Sequence, residues 1–206
     1  MKNIRKIQVR TIENKEKLIT SADDLFMIKG FYNTTSKEIA KHAGVSTGVF
    51  YNYFDNKTDV FIEIYKTTCS YSYKYLENLI SDLSIENVDY KSFFIKYIRN
   101  GIKAACKNRY LYDDLESLKK ESCEVYNIYH YNNDKMILLL QDFIKNLYHV
   151  DKNINYNIKC QIILNTLQSN ANTIVKIKDD KQKNEYINNL TDMLYKFIFD
   201  NMDWVT

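Results

Sequence analysis

Between Ser46 and Lys57 the chain reads STGVFYNYFDNK. Up to Phe54 its polar groups are two hydroxyls (Ser46, Thr47), two phenols (Tyr51, Tyr53) and an amide (Asn52), with Gly48 among them and Lys57 just beyond. A solvated helix face normally carries Lys and Glu. Neutral donors and acceptors of this kind instead suit phosphate oxygens and the base edges of a major groove. Gly48 removes bulk, so a helix N-terminus can come close to a phosphate or a base. Thr35, Ser46, Thr47, Tyr51, Tyr53 and Lys57 are expected mainly at phosphates. Thr47, Gly48, Tyr51 and Asn52 are placed to read bases. Ser46 can instead spend its hydroxyl on a helix cap.

Two short helices must present these groups. Thr35 with Glu38 three residues on has the spacing of a capping box. Ile39, Ala40 and Ala43 share the inner face of the first helix, and Gly44 supplies the permissive backbone of a tight turn. Ser46 caps a second helix running to about Phe54, with Val45, Val49, Phe50 and Phe54 inward. This is a helix-turn-helix whose second helix is the reader. A helix over about 14–29 precedes it, with Leu18, Ala22, Leu25 and Phe26 on one face and Gly30 as its stop. Residues 1–11 carry Lys2, Arg5, Lys6 and Arg10 and no acid. They read as a solvated tail, or as an arm that follows phosphates or enters a minor groove.

The run from Leu18 to Phe61 resembles the N-terminal domain of the TetR/AcrR transcriptional regulators. The matching features are the Ala22–Leu25–Phe26 face, Gly30–Phe31, Thr34–Thr35, Ile39–Ala40, Ala43–Gly44–Val45–Ser46, Gly48, the Tyr51-x-Tyr53-Phe54 block and Lys57. The resemblance covers about the first third of the chain. It implies a homodimer on DNA, with a helical remainder that binds a small-molecule effector and dimerises through its last two helices. It also implies that a long helix after Asp55, a plausible N-cap, is the lever between the two parts.

Composition bounds the rest. The chain has 206 residues, no proline and four glycines, three of them at 30, 44 and 48. So few helix breakers predict an all-α fold of about nine helices. The expected division is 1–57 for the DNA-binding domain, with its basic arm at 1–11, and 58–206 for a helical effector-binding and dimerisation domain. Residues 1–57 hold ten Lys and Arg against six Asp and Glu, and the remainder 19 against 20, which puts the positive charge with the helix-turn-helix. That placement suits a polyanion. The four cysteines, at 69, 106, 123 and 160, form no CxxC pair and no metal-ligand spacing. No secretory or membrane-spanning segment stands out, and a reducing cytoplasm is the expected location.

Beyond Asp55 a long helix to about Leu83, a break at 84–90, and helices over about 90–107, 110–117, 120–148, 155–176 and 181–202 are expected. The central helices are rich in tyrosine. Tyr97, Tyr110, Tyr126 and Tyr129 are the candidates for lining a lipophilic or aromatic effector site, although aromatics at helical spacing equally build a core. On the last two helices Ile162, Ser169, Leu190, Leu194 and Phe197 are the candidates for a two-fold four-helix interface.

The expected function is a DNA-binding regulator, a repressor released from a near-palindromic double-stranded operator by a small molecule. The alternative is a DNA-binding protein of the same fold without such an effector, architectural or controlled by a partner. An enzyme is not expected. Only His42, His130 and His149 are present, with no Glu-x-x-His or His-Glu-x-x-His pattern, so neither a cofactor nor a metal is called for.

Overall fold

Helix ends in this chain are set by side chains on backbone groups, and those ends decide where each element starts and stops. The computed structural model describes residues 2–82, 89–107, 109–147 and 155–199, without the side chains of 2–10, 107, 110, 112, 146, 147 and 172. Among the described residues there are nine helices and no strand: α1 Lys2–Lys29, α2 Ser36–His42, α3 Thr47–Tyr51, α4 Lys57–Ser81, α5 Tyr90–Lys107, α6 Arg109–Glu121, α7 Cys123–Leu147, α8 Tyr156–Lys176 and α9 Asp180–Phe199. The fold is all-α.

Three boundaries differ from expectation. The backbone is helical from Lys2, so α1 begins well before the expected start at about residue 14 and takes in the basic segment. The second helix of the turn motif ends at Tyr51, three residues early, and Asn52 is its C-cap. The cap of α4 is Asn56 rather than Asp55. The Asn56 carboxamide accepts the N–H groups of Thr58 (2.7 Å) and Asp59 (3.3 Å). The Asp59 carboxylate returns the arrangement by accepting the N–H groups of Asp55 and Asn56. The expected break at 84–90 falls largely outside the described residues, as does the end of the last helix beyond 199.

The chain divides into two compact units. The first comprises Met1–Ser70 and Asn108–Tyr126, so the expected boundary at 57/58 falls within it and α6 belongs to it. Its core is aromatic. Phe31 lies between Phe26 and Phe61, with ring centroids 5.3 and 5.5 Å away. Leu18, Ala22, Phe26, Ile39, Ala40, Phe50 and Val60 are fully or almost fully buried, and Leu111, Leu115 and Leu118 bury the apolar side of α6. The second unit comprises Tyr71–Lys107 and Asn127–Thr206. There α5 packs on α8 and α9, around Phe93, Phe94, Ile98, Phe143, Ile163, Leu190, Leu194 and Phe199.

Candidate nucleic-acid interface

Each joint of the helix-turn-helix is fixed by a local hydrogen bond that the residue spacing dictates. The Thr35 hydroxyl accepts the Glu38 N–H, and the Glu38 carboxylate accepts the Thr35 N–H at 2.9 Å, a complete capping box. Lys29 donates to the same carboxylate at 2.6 Å. The Lys29 ammonium, then the Thr35 groups, hold the Glu38 carboxyl down at about 2. The end of α2 is a Schellman motif: Val45 N–H reaches the Ala40 carbonyl (3.0 Å) and Gly44 N–H the Lys41 carbonyl (3.1 Å). Gly44 stands at φ +68°, where an L side chain is strained, which is why the turn needs glycine. The Ser46 hydroxyl then accepts the Val49 N–H at 3.3 Å and starts α3.

This scaffold turns the expected side chains outward. Phe50 is completely buried, while its neighbour Tyr51 is 55% exposed with its ring edge-on to Phe50. Gly48 and Asn52 are exposed, and Thr47 and Tyr53 are half-buried. Thr35 and Ser46 are also at the surface, but both hydroxyls serve as caps. Thr35 additionally donates its hydroxyl proton to Glu38, so the group is fully used within the box. Ser46 keeps its O–H as a donor.

Lys57, expected at a phosphate, has its ammonium on backbone carbonyls in this structure. Its ammonium donates to the carbonyls of Phe31 (2.7 Å), Thr34 (2.8 Å) and Tyr32 (3.3 Å) and stands 4.3 Å from the centre of the Phe31 ring. Burial lowers its pKa. Two residues that sequence reasoning missed hold the same segment: Asp114 accepts the Phe31 N–H (2.9 Å) and Glu121 accepts the Tyr32 hydroxyl (2.9 Å). They lie 83 and 89 residues from their partners, so no local spacing pointed to them.

Residues 18–64 match the family model described as "Bacterial regulatory proteins, tetR family". Over these residues the chain is similar to regulators of the TetR family. A 48-residue stretch is 44% identical to the HTH-type transcriptional regulator HbdR of Aromatoleum sp. (strain CIB), covering 23% of this chain and 21% of that protein. Another, of 61 residues, is 33% identical to the HTH-type transcriptional repressor BepR of Brucella suis biovar 1 (strain 1330), covering 30% of this chain and 29% of that one. The chain thus spans less than a third of the length of either relative. The crystal structure of the transcriptional regulator FadR from Bacillus subtilis in complex with stearoyl-CoA superposes with a TM-score of 0.64 at 19% identity, over 89% of this chain and 97% of that one. This last likeness is one of fold.

The candidate effector residues fall in both units. Tyr97 packs half-buried against the core of the second unit, and Tyr129 sets its ring edge-on to His130. Tyr126 is half-exposed and belongs to the first unit. The side chain of Tyr110 lies outside those described. A surface depression of about 720 Å³ is lined by Asp180, Lys181, Asn184, Glu185, Asn188 and Asn189, all polar residues of α9, and neither Tyr97 nor Tyr129 borders it.

Two dimer candidates need correction. Leu190 and Leu194 face inward and fill the core of the second unit, at 5% and 1% exposure. Ile162 and Phe197 are exposed, as is Ser169. Exposed Ile158 lies one turn before Ile162 on α8, and exposed Met193 one turn before Phe197 on α9, so each helix carries an outward apolar pair. Among the described residues, no cluster of three or more His, Cys, Asp or Glu is placed to hold a metal, and no helix is long and apolar enough to cross a membrane.

Proposed function

We propose that this chain is a cytoplasmic DNA-binding transcription regulator that acts as a homodimer, a repressor released from its operator by a small molecule. One observation carries the DNA reading: α3 is capped and anchored so that Thr47, Gly48, Tyr51 and Asn52 point away from the core, beside Tyr53. In a major groove Thr47, Tyr51 and Asn52 meet base edges and the Ser46 and Tyr53 hydroxyls meet phosphates. The family match over 18–64 supports this docking. Two reading helices on a two-fold axis would meet half-sites about one helical turn, ~34–36 Å, apart, so the operator is near-palindromic.

The pairing surface is the outward stripe of α8 and α9: Ile158, Ile162 and Ser169, with Met193 and Phe197. Repression is supported by the similarity to BepR, and a small-molecule effector by the fold shared with the acyl-CoA-bound FadR. The effector is lipophilic or aromatic and is bound within the second part of the chain.

Binding to duplexes selected by the purified protein from a random pool tests the whole reading. Selected sequences should be near-palindromes, and Tyr51→Ala should weaken their binding by about 1–3 kcal/mol. Ile162→Asp with Phe197→Asp should sediment as a monomer and bind single half-sites weakly. Recovery of unphased sequences that bind Tyr51→Ala equally well would defeat the proposal.

A further inference from the structure

We infer that Lys57 and Asp114 are positioning residues of the DNA-reading unit: together they lock the connector between α1 and α2, and neither touches nucleic acid. The inference rests on the DNA-binding reading above and adds what holds the reader in place.

The connector runs from Gly30 to Thr35, where α1 has ended and α2 has not begun. Its backbone groups need partners that the helices do not supply. Gly30, at φ +82°, closes α1 with its N–H on the Phe26 carbonyl. The Thr34 side chain, wholly buried, donates back to the Gly30 carbonyl at 2.8 Å. The Thr34 N–H reaches the Phe31 carbonyl at 3.2 Å, and two charged side chains serve further groups of opposite sign. The carbonyls of Phe31, Tyr32 and Thr34 converge on the Lys57 ammonium. The Phe31 N–H takes the Asp114 carboxylate. A cation among the carbonyls beyond a helix C-terminus, and an anion on the Phe31 N–H, are the favourable placement for each charge.

Lysine has three N–H donors, and here three carbonyls accept them. None is left to aim at a phosphate, and the Phe31 ring closes one side of the ammonium. A phosphate ligand needs a free, outward ammonium, and Lys57 has neither property. The connector ends at Thr35, the N-cap of α2, and α2 packs directly on α3. Fixing the connector therefore fixes the direction from which α2 and α3 leave the core, and with it the aim of Thr47 and Tyr51. The Tyr32 hydroxyl on Glu121 is a second tie from α6 to the same segment.

The test uses the full-length protein and a duplex recovered by the wild type from a random pool. Lys57→Met and Asp114→Ala should each weaken binding by about tenfold or more, the scale of a lost charge-assisted hydrogen bond. The salt dependence should keep its wild-type slope. Asp114→Asn keeps an acceptor for the Phe31 N–H and should stay within about threefold of wild type. The double variant Lys57→Met/Asp114→Ala should lose less than the product of the single losses, because both hold one segment. A second measurement needs no DNA: the Phe31 amide should exchange with solvent faster in Asp114→Ala.

A drop of about 0.9 in the salt slope of Lys57→Met would make Lys57 a phosphate ligand and overturn the inference. So would lowered thermal stability with wild-type affinity at low temperature, which is a structural role only. If the wild type selects no duplex, the proposed function fails. An unchanged Phe31 amide in Asp114→Ala would separately defeat the lock.

Discussion

In the first unit a lysine and a carboxylate tie one connector between helices; the second unit is built around a broad apolar cluster. Thr35, Ser46 and Asn56 each cap a helix, Gly44 makes the turn, and Lys57 and Asp114 tie one connector. The second unit has some polar contacts of its own, such as Tyr186 donating to Asn170 at 2.6 Å. Asp89, Asn155 and Asp179 cap α5, α8 and α9 there, but its core is a broad cluster of Ile, Leu and Phe. A joint made by one hydrogen bond tolerates few residue types. A packed core tolerates many, provided volume and pattern are kept.

Core substitutions should break the comparison most visibly. Phe50→Ala, at a completely buried ring, should cost about 3–5 kcal/mol in chemical denaturation, and Leu194→Ala about 2–5. Leu194→Met, by contrast, should cost less than about 1.5 kcal/mol, since it keeps the volume. If that swap proves as damaging as alanine, the second core is as exacting as the first.

Glycine provides the next contrast. Gly44→Ala should destabilise by about 1–2 kcal/mol through its left-handed backbone alone, since a Cβ there meets nothing within 4 Å. Gly101 lies exposed within α5, again with nothing within 4 Å, and Gly101→Ala should stabilise by about 0.5–1 kcal/mol. Thermal melts of the two variants should move in opposite directions. A shift of the same sign would mean that the turn is not set by Gly44.

The smallest effect is in acid. The Glu38 carboxyl is held at about 2, below its ordinary 4.5, mainly by Lys29. A lowered carboxylate value means that the stabilisation is complete above pH 4.5 and fades as pH falls towards 2. Carboxyl-detected NMR should follow that titration, and Lys29→Met should move its midpoint upward. Because Glu38 is exposed, the accompanying change in stability should be small. An unmoved midpoint would assign the shift to Thr35 alone.

The sequence by itself determined the all-α class, the capping box at Thr35–Glu38, the Ser46 cap, the Gly44 turn and the outward set Thr47, Gly48, Tyr51 and Asn52. Each depends on residues within a few positions of one another or on a simple helical period, so spacing is sufficient. Even there neighbours compete: both Asp55 and Asn56 can cap, and it is the Asn56 carboxamide that accepts the Thr58 and Asp59 N–H groups. Only the tertiary structure decided that Lys57 turns inward to carbonyls 23–26 residues away, and that Asp114 reaches the connector from α6. It also decided which leucines of α9 are spent in the core and which apolar residues stay outside. A lysine at the start of a helix looks the same in sequence whether it faces solvent or a ring of carbonyls. The choice is made by which backbone groups have been left without partners, and that is known only once the helices have packed.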